Sequence, residues 1–327
     1  MRPNLDVERL LALYQAMARI RAFEEAGLRA HQEGLVLGAI HPSIGQEAVA
    51  AGVCVNLANA DVLLSTHRGH GHTLAKGADA TAMMCELFGR AGGTCGGKGG
   101  SMHIADFAVG MLGANGVVGA NIQIAAGAAH AIRLRGDDRI VACLFGDGAI
   151  NRGPFLEGLN WARIYDLPIL FVCEDNGFAA TTRTAALTGG PGAVARAEAL
   201  GIPALEADGN DVLALDEAVG ELVAHIRAGD GPQFLLARTY RLMGHTAADA
   251  GAYRPESEVA ARWQRDPLTL CAALLAEAGV PAAEIEARRR AAGDEMDQAF
   301  AAARGARWPD PALAFTDVQD IGAGAPG

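Results

Sequence analysis

An α/β fold, with a doubly wound and mostly parallel sheet covered by helices on both faces, is what three features of the sequence predict. Two short, almost wholly apolar runs, 139–145 and 167–173, flank a stretch in which Phe155, Leu159, Ala162 and Ile164/Tyr165 recur at helical spacing. Pro154 precedes them and suits a first helical turn. Two apolar strands joined by one helix make a βαβ unit, whose strands are parallel and whose crossover is right-handed. Each run ends in a polar turn, Gly146-Asp147-Gly148 and Glu174-Asp175-Asn176-Gly177. Asp147 and Asn176 therefore fall beyond the carboxyl ends of parallel strands, at the edge where open α/β sheets bind ligands.

The residue types at that edge specify a chemistry. Asp147 offers a hard anionic oxygen, Asn176 a neutral amide oxygen, and the turn after it backbone carbonyls; such a set with open positions suits Mg²⁺. Gly146 and Gly148 let backbone approach a bulky anion, and the helix that follows offers its N-terminal amides to phosphate. Gly-Asp-Gly alone reads equally well as a strand-ending turn with a helix-capping Asp. The Asn at 176 − 147 = 29 positions downstream, past the next strand, favours the metal and phosphate reading.

The remaining elements follow in order. Residues 5–32 read as an amphipathic helix with Leu10, Leu13, Tyr14, Met17, Ile20 and Phe23 in its stripe, Asn4 or Asp6 as cap and Gly34 as stop. Residues 38–48 form a loop carrying His41 and leading into a helix. His67, His70 and His72 invite a zinc reading, but no Cys or carboxylate completes a ligand set at a familiar spacing. GRAGGTCGGKGG (89–100) mimics a P-loop, yet Gly99 stands where Ser or Thr is required and no apolar strand precedes it. His103 follows, near a channel and without assigned chemistry. Residues 111–119 read as a glycine-rich bend before an Ala-rich helix at 122–134. Beyond the central unit come an exposed loop (179–193), a strand (204–207), a helix (212–227), a strand (233–240) and a Gly/Ala-rich loop (242–254) bearing His245. Charged helices run to about residue 303, so 1–303 is expected to be one domain with helical extensions at both ends, and 304–327 a docking or disordered tail.

Composition narrows the function classes. The net charge of −11, from 27 basic and 38 acidic residues, argues against nucleic acid or an anionic membrane as partner. Six cysteines form no Cys-x-x-Cys pair, and those at 143 and 173 lie inside the strands, so a reducing cytoplasm is expected. No signal-peptide core and no apolar run of membrane length is found.

The spacing from Gly-Asp-Gly to the Asn-bearing turn resembles the thiamine diphosphate signature, although that usually ends in Asn-Asn and here ends in Asp175-Asn176. The words GDGAINRGPFLEGLN, LPILFVCEDNGF and YRLMGHTAADAGAYR are similar to those of the α subunit of the thiamine-dependent first component of 2-oxo acid and acetoin dehydrogenase complexes, over about residues 10–262. The resemblance implies thiamine diphosphate and Mg²⁺ as cofactors, with Asp147, Asn176 and the Phe178 carbonyl on the metal. It implies cofactor contacts from His67, Arg68, Gly116, Val118, Asp147, Gly148, Ala149, Asn176 and His245, with His41 and His245 as candidates for proton transfer and for orienting the substrate. His67 stands where Tyr is usual. The family further implies a β subunit completing the active site in an α₂β₂ assembly, and a lipoyl-bearing acyltransferase that receives the two-carbon unit. STHRGHGHTLAKG, LFGRAGGTCGGKGGSMHIAD and GMLGAN look most like acetoin dehydrogenase α subunits, with a 2-oxo acid as the alternative small-molecule substrate. A Mg-nucleotide enzyme and a non-catalytic scaffold remain the rival classes.

Overall fold

The computed structural model describes residues 5–317. Asp6 caps α1 (Val7–Gln32), accepting from the Arg9 amide at 3.0 Å. Asn4, the other candidate cap, and residues 318–327 of the expected tail lie outside the described residues. The chain continues through α2 (Glu47–Cys54), β1 (Val62–Thr66), α3 (His70–Ala75), α4 (Ala80–Leu87), β2 (Met111–Asn115) and α5 (Ala120–Arg135). The central unit is β3 (Val141–Gly146), α6 (Gly153–Ile164) and β4 (Ile169–Asp175). A small hairpin, β5 (Phe178–Ala179) and β6 (Thr182–Arg183), leads to α7 (Ala193–Ala199), β7 (Ala204–Asp208), α8 (Val212–Ala228) and β8 (Gln233–Arg238). The helices α9 (Glu256–Trp263), α10 (Pro267–Glu277) and α11 (Ala282–Gly305) follow.

The main sheet has the order β2-β1-β3-β4-β8-β7, and every neighbouring pair in it is parallel. Alternate residues supply its two faces. Ala142, Leu144, Leu170, Val172 and Leu235 pack under α1, α2, α8 and α10. Cys143, Phe145, Phe171, Cys173 and Phe234 pack under α5, α6 and α7. Burying an aliphatic or aromatic side chain of this size contributes about 1.5–3 kcal/mol, so these two layers hold the strand ends in register beneath the site. The chain adds β2 on one side of β1 and β3 on the other. The reversal between β1 and β3 opens a crevice at their carboxyl ends, as the doubly wound reading requires. Among the described residues no helix is long and apolar enough to cross a membrane.

The structure corrects several sequence expectations. The bend expected at 111–119 begins as strand β2; MLGAN has no β-branched residue to announce it, and its pairing with β1 decides the matter. β1 itself, VLLST, is a strand that the histidine- and glycine-rich run directly after it does not announce. β4 runs through Glu174 and Asp175, because β8 continues the ladder to Arg238. Ile164 and Tyr165 are exposed, and only Phe155, Leu159 and Ala162 of the expected stripe are core. A 3₁₀ turn (Asp147–Asn151) separates β3 from α6, so the amides at Gly148 and Ala149 belong to that turn and not to α6. Within and beyond the loop expected at 179–193 lie the β5–β6 hairpin and α7.

The P-loop mimic is organised from within. Glu86, fully buried at the end of α4, accepts from the amides of Cys95 (2.8 Å), Gly97 (2.9 Å), Gly99 (2.7 Å) and Gly100 (3.0 Å). A side-chain carboxylate thus takes the place a phosphate would need, which removes the nucleotide reading. Charge-assisted bonds of this kind contribute about 1.5–3 kcal/mol each, and unsatisfied amides cost about 1–3 kcal/mol. Glu86→Leu is expected to destabilise the chain by at least about 3 kcal/mol in urea unfolding, and Glu86→Gln by less; a neutral Glu86→Leu would show that the loop is ordered by something else.

Candidate active site

A cavity of about 360 Å³ opens at the β1/β3 crevice. β1 delivers His67 and Arg68, β3 delivers Asp147, Gly148 and Ala149, β4 delivers Glu174 and Asn176, and the chain after β8 delivers Arg241 and His245. His41 and Gln46 come from the loop before α2, while Gly116, Val117 and Val118, all exposed, form part of the rim. Every candidate site residue named from sequence therefore lines this one cavity.

One corner suits a cation. Asp147 is buried; its Oδ2 accepts from Thr184 Oγ1 at 2.7 Å and its Oδ1 from the Gly148 amide at 3.1 Å. Burial pushes its carboxyl up to about 7, against the Thr184 hydrogen bond and with help from Asp175. Asn176 Oδ1 accepts from the Phe178 amide at 3.1 Å, and the Phe178 ring packs with Tyr240 and Leu242, which anchors that turn. Asp175, the departure from the usual signature, accepts from Gly177 N at 3.1 Å and pairs with Arg238 at 2.9 Å. A Cβ at Gly148 would stand 2.9 Å from Ala179 Cβ, so glycine is required there; a Cβ at Gly146 would meet nothing within 4 Å, so that side of the turn is open to a ligand.

Another part of the cavity wall suits an anion. Arg68 Nη1 donates to the Pro42 carbonyl at 2.6 Å, and Nη2 to the His245 carbonyl at 3.2 Å with His245 Nδ1 at 3.3 Å. Arg241, 1 % exposed, donates to the Ala180 carbonyl at 3.0 Å and the Tyr253 hydroxyl at 2.8 Å. Among the described residues neither guanidinium is paired with a carboxylate. Burial, with Arg241 beside it, pushes Arg68 down to about 9. Two buried cations without a counter-ion and a buried carboxylate without a cation fit a metal-bound diphosphate, which supplies both. Sequence reading missed Arg241, although its place just past the strand at 233–240 put it on the binding edge.

Three imidazoles meet beside Arg68. The ring centroids of His41, His67 and His245 lie 4.5, 4.9 and 5.6 Å apart. Burial, then the Arg68 charge, pushes them down to about 3, 2 and 4 respectively, so all three are neutral near pH 7. His41 Nδ1 is buried with no hydrogen-bond partner and is free for a ligand. Their nitrogens lie within 4.8 Å of one another, but the adjacent guanidiniums disfavour a dication there. The zinc pattern at 67–72 is dispersed by the fold: His70 bonds to Glu24 and Ser101, and His72 meets Ser65 and Glu174. His103 is exposed, does not line the cavity and lies behind Gly116.

A family model described as "Dehydrogenase E1 component" matches residues 15–312. The α subunit of acetoin:2,6-dichlorophenolindophenol oxidoreductase from Cupriavidus necator is 42% identical over 319 residues, covering 96% of this chain and 95% of that one. The subunit of the same name from Bacillus subtilis is 44% identical over 255 residues, 78% of this chain and 77% of that one. The pyruvate dehydrogenase E1 component subunit alpha of Zymomonas mobilis is 41% identical over 286 residues, 87% of this chain and 81% of that one.

The depressed imidazole values give a test in the ligand-free protein. At pH 5.5 an ordinary histidine, titrating near 6.5, is mostly protonated. His41, His67 and His245 are expected to remain neutral there, as read from their ring-nitrogen NMR shifts with each signal assigned by substitution. Their neutrality contributes stability above about pH 6.5 that is lost as pH falls towards the folded values. Protonation of all three at pH 5.5 would show a wetter site.

Proposed function

The chain belongs to the dehydrogenase E1 component family, thiamine diphosphate-dependent enzymes, as an α subunit, and we propose that its reaction is the oxidative cleavage of acetoin. The acetyl unit then passes to a lipoyl group on an acyltransferase partner, in the cytoplasm. When bound, thiamine diphosphate supplies the carbon nucleophile and the electron sink for breaking the carbon–carbon bond.

The chain's own residues divide the remaining work. Asp147, Asn176 and the Phe178 carbonyl would hold Mg²⁺ against the diphosphate, with Gly148 and Ala149 offering backbone amides on the same side. Arg68 and Arg241 would neutralise the phosphate oxygens, and His67 would donate to them. Gly116 and Val118 would meet the cofactor's ring through their backbone. His41 and His245, neutral and each able to accept or donate one proton, would hold and move a proton on the substrate oxygen and orient the lipoyl group. Val117 and Val118 leave an exposed apolar rim on the cavity. That rim fits coverage by a β subunit, which would complete the site in an α₂β₂ assembly.

The observation that carries the acetoin reading is the pairing of three neutral imidazoles with an apolar mouth of Met102, Val117 and Val118. In this reading Arg68, whose Nη2 lies 3.3 Å from His245 Nδ1, and Arg241 are taken up by the diphosphate, which leaves no cation free for a substrate carboxylate. Acetoin leaves a neutral acetaldehyde fragment and needs room without an obligatory cation, whereas pyruvate carries a carboxylate that benefits from one.

On the assembled αβ enzyme, kcat/KM is expected to be highest for acetoin when acetoin, pyruvate and 3-methyl-2-oxobutanoate are compared, with the α chain alone inactive. A preference for either oxo acid would replace the substrate and leave the cofactor site standing. In calorimetric titration of thiamine diphosphate with Mg²⁺, Asp147→Ala and Asn176→Ala are expected to abolish measurable binding while the fold is kept; unchanged affinity in both would sink the metal assignment.

A further inference from the structure

Asn176 can serve a cation only through Oδ1. An amide turned by half a rotation would present Nδ2–H₂ instead, which repels a metal. The chain of contacts behind it decides which atom faces forward. Asn176 Nδ2 donates to Gln46 Oε1 at 3.2 Å, and Gln46 Nε2 donates to Glu174 Oε1 at 3.3 Å. His72 Nε2 lies 3.3 Å from that same oxygen, and its Nδ1 meets Ser65 Oγ at 2.7 Å. Gln46, Glu174, Asn176 and His72 are all buried, the first three on the cavity wall.

Both amides could in isolation point either way, but the carboxylate cannot: an ionised Glu accepts and does not donate. With its Oε1 as terminus, Gln46 must turn its NH₂ towards Glu174 and its oxygen towards Asn176. Asn176 must then turn its NH₂ back to Gln46. Its Oδ1 faces the Phe178 amide, from which it accepts at 3.1 Å, and keeps a second lone pair for the cation. Polarity thus runs one way from Glu174 to the metal position. We propose that Glu174 and Gln46 are positioning residues that set which atom of Asn176 faces the cation, an assignment that rests on the reading of Asp147 and Asn176 as the Mg²⁺ residues.

Glu174→Gln keeps size and shape but gives the terminus a donor, so that only the Phe178 amide still opposes the reversed direction. Gln46→Leu breaks the chain without changing charge. Mn²⁺ is the probe, its free concentration followed by electron paramagnetic resonance with the assembled enzyme saturated in thiamine diphosphate. Partners standing behind metal ligands typically contribute 10–100-fold in affinity, so the Kd for Mn²⁺ is expected to rise about 10-fold or more in each variant. The double variant should be no worse than the poorer single one, because both cut the same chain. Metal-free melting temperatures should stay at the wild-type value. Unchanged Kd in both variants, with Asp147→Ala still weakening Mn²⁺, would overturn the positioning role and leave the metal residues standing. A loss confined to Glu174→Gln would make the effect one of charge alone and overturn it too. A fall in metal-free melting temperature alongside the affinity loss would make these folding residues, against the proposal. If Asp147→Ala also leaves Kd unchanged, the metal reading falls and takes this assignment with it.

Discussion

Glu24, a carboxylate on α1 with no exposed surface, ties together three segments that carry little apolar side-chain content of their own. Its Oε1 accepts from the Ser43 amide at 3.0 Å and the Ser43 hydroxyl at 2.8 Å, and its Oε2 meets His70 Nδ1 at 3.0 Å. His70 reaches on to Ser101 Oγ at 2.9 Å. The loop bearing His41, the turn bearing His67 and Arg68, and the end of the glycine-rich segment are thereby fixed to one helix. Burial alone would raise the Glu24 pKa; His70 and the Ser43 donors outweigh it and hold the carboxyl below its ordinary value. Taking a carboxylate out of water costs several kcal/mol, roughly, and only a full set of partners offsets that. The hub is therefore an all-or-none arrangement.

The same device recurs around the crevice. Glu86 gathers the amides of the 89–100 segment, and Glu47 accepts from the Gly45 amide at 2.9 Å while Arg21 neutralises it at 2.5 Å. Lys76 does the converse with carbonyls, donating to Ala58 (3.0 Å), Asn59 (2.9 Å) and Val109 (2.7 Å). Loops with few apolar side chains cannot be held by burial, so helix-borne charges hold them through their backbones. The cavity between them differs in one respect. Its charges, Asp147, Arg68 and Arg241, form no ion pair with a group of opposite sign among the described residues, and burial pushes Asp147 up and Arg68 down. In the proposed reading a metal diphosphate would relieve both at once, and the folding cost of the site would become part of the affinity for its ligand.

How much of this was legible beforehand follows from the range of the physics involved. The βαβ unit was legible because hydrophobic period and turn chemistry are local, and a parallel crossover then obliges Asp147 and Asn176 to share an edge. The buried strand pair, expected at 139–145 and 167–173 and found at 141–146 and 169–175, the helix from Pro154 and the helix for which Asp6 was one of two candidate caps followed from the same local rules. Strand β2 did not, since MLGAN is a strand only because β1 pairs with it. Nor did the last two residues of β4, whose polar side chains suggested a turn while β8 extended the ladder.

The sequence by itself determined the fold class, the sheet edge that carries Asp147 and Asn176 and, through resemblance, which histidines and which arginine line the same cavity. Only the tertiary structure decided that His41, His67 and His245 meet as neutral rings, that Arg241 joins Arg68, and that Glu174 and Gln46 stand behind Asn176. These pairings join residues up to 204 positions apart, as 245 − 41, and arise where separate elements bring polar groups out of water together. Desolvation and hydrogen-bond direction depend on what lies within about 3 Å in space, and spacing along a chain carries that information only inside one turn, one helix or one crossover.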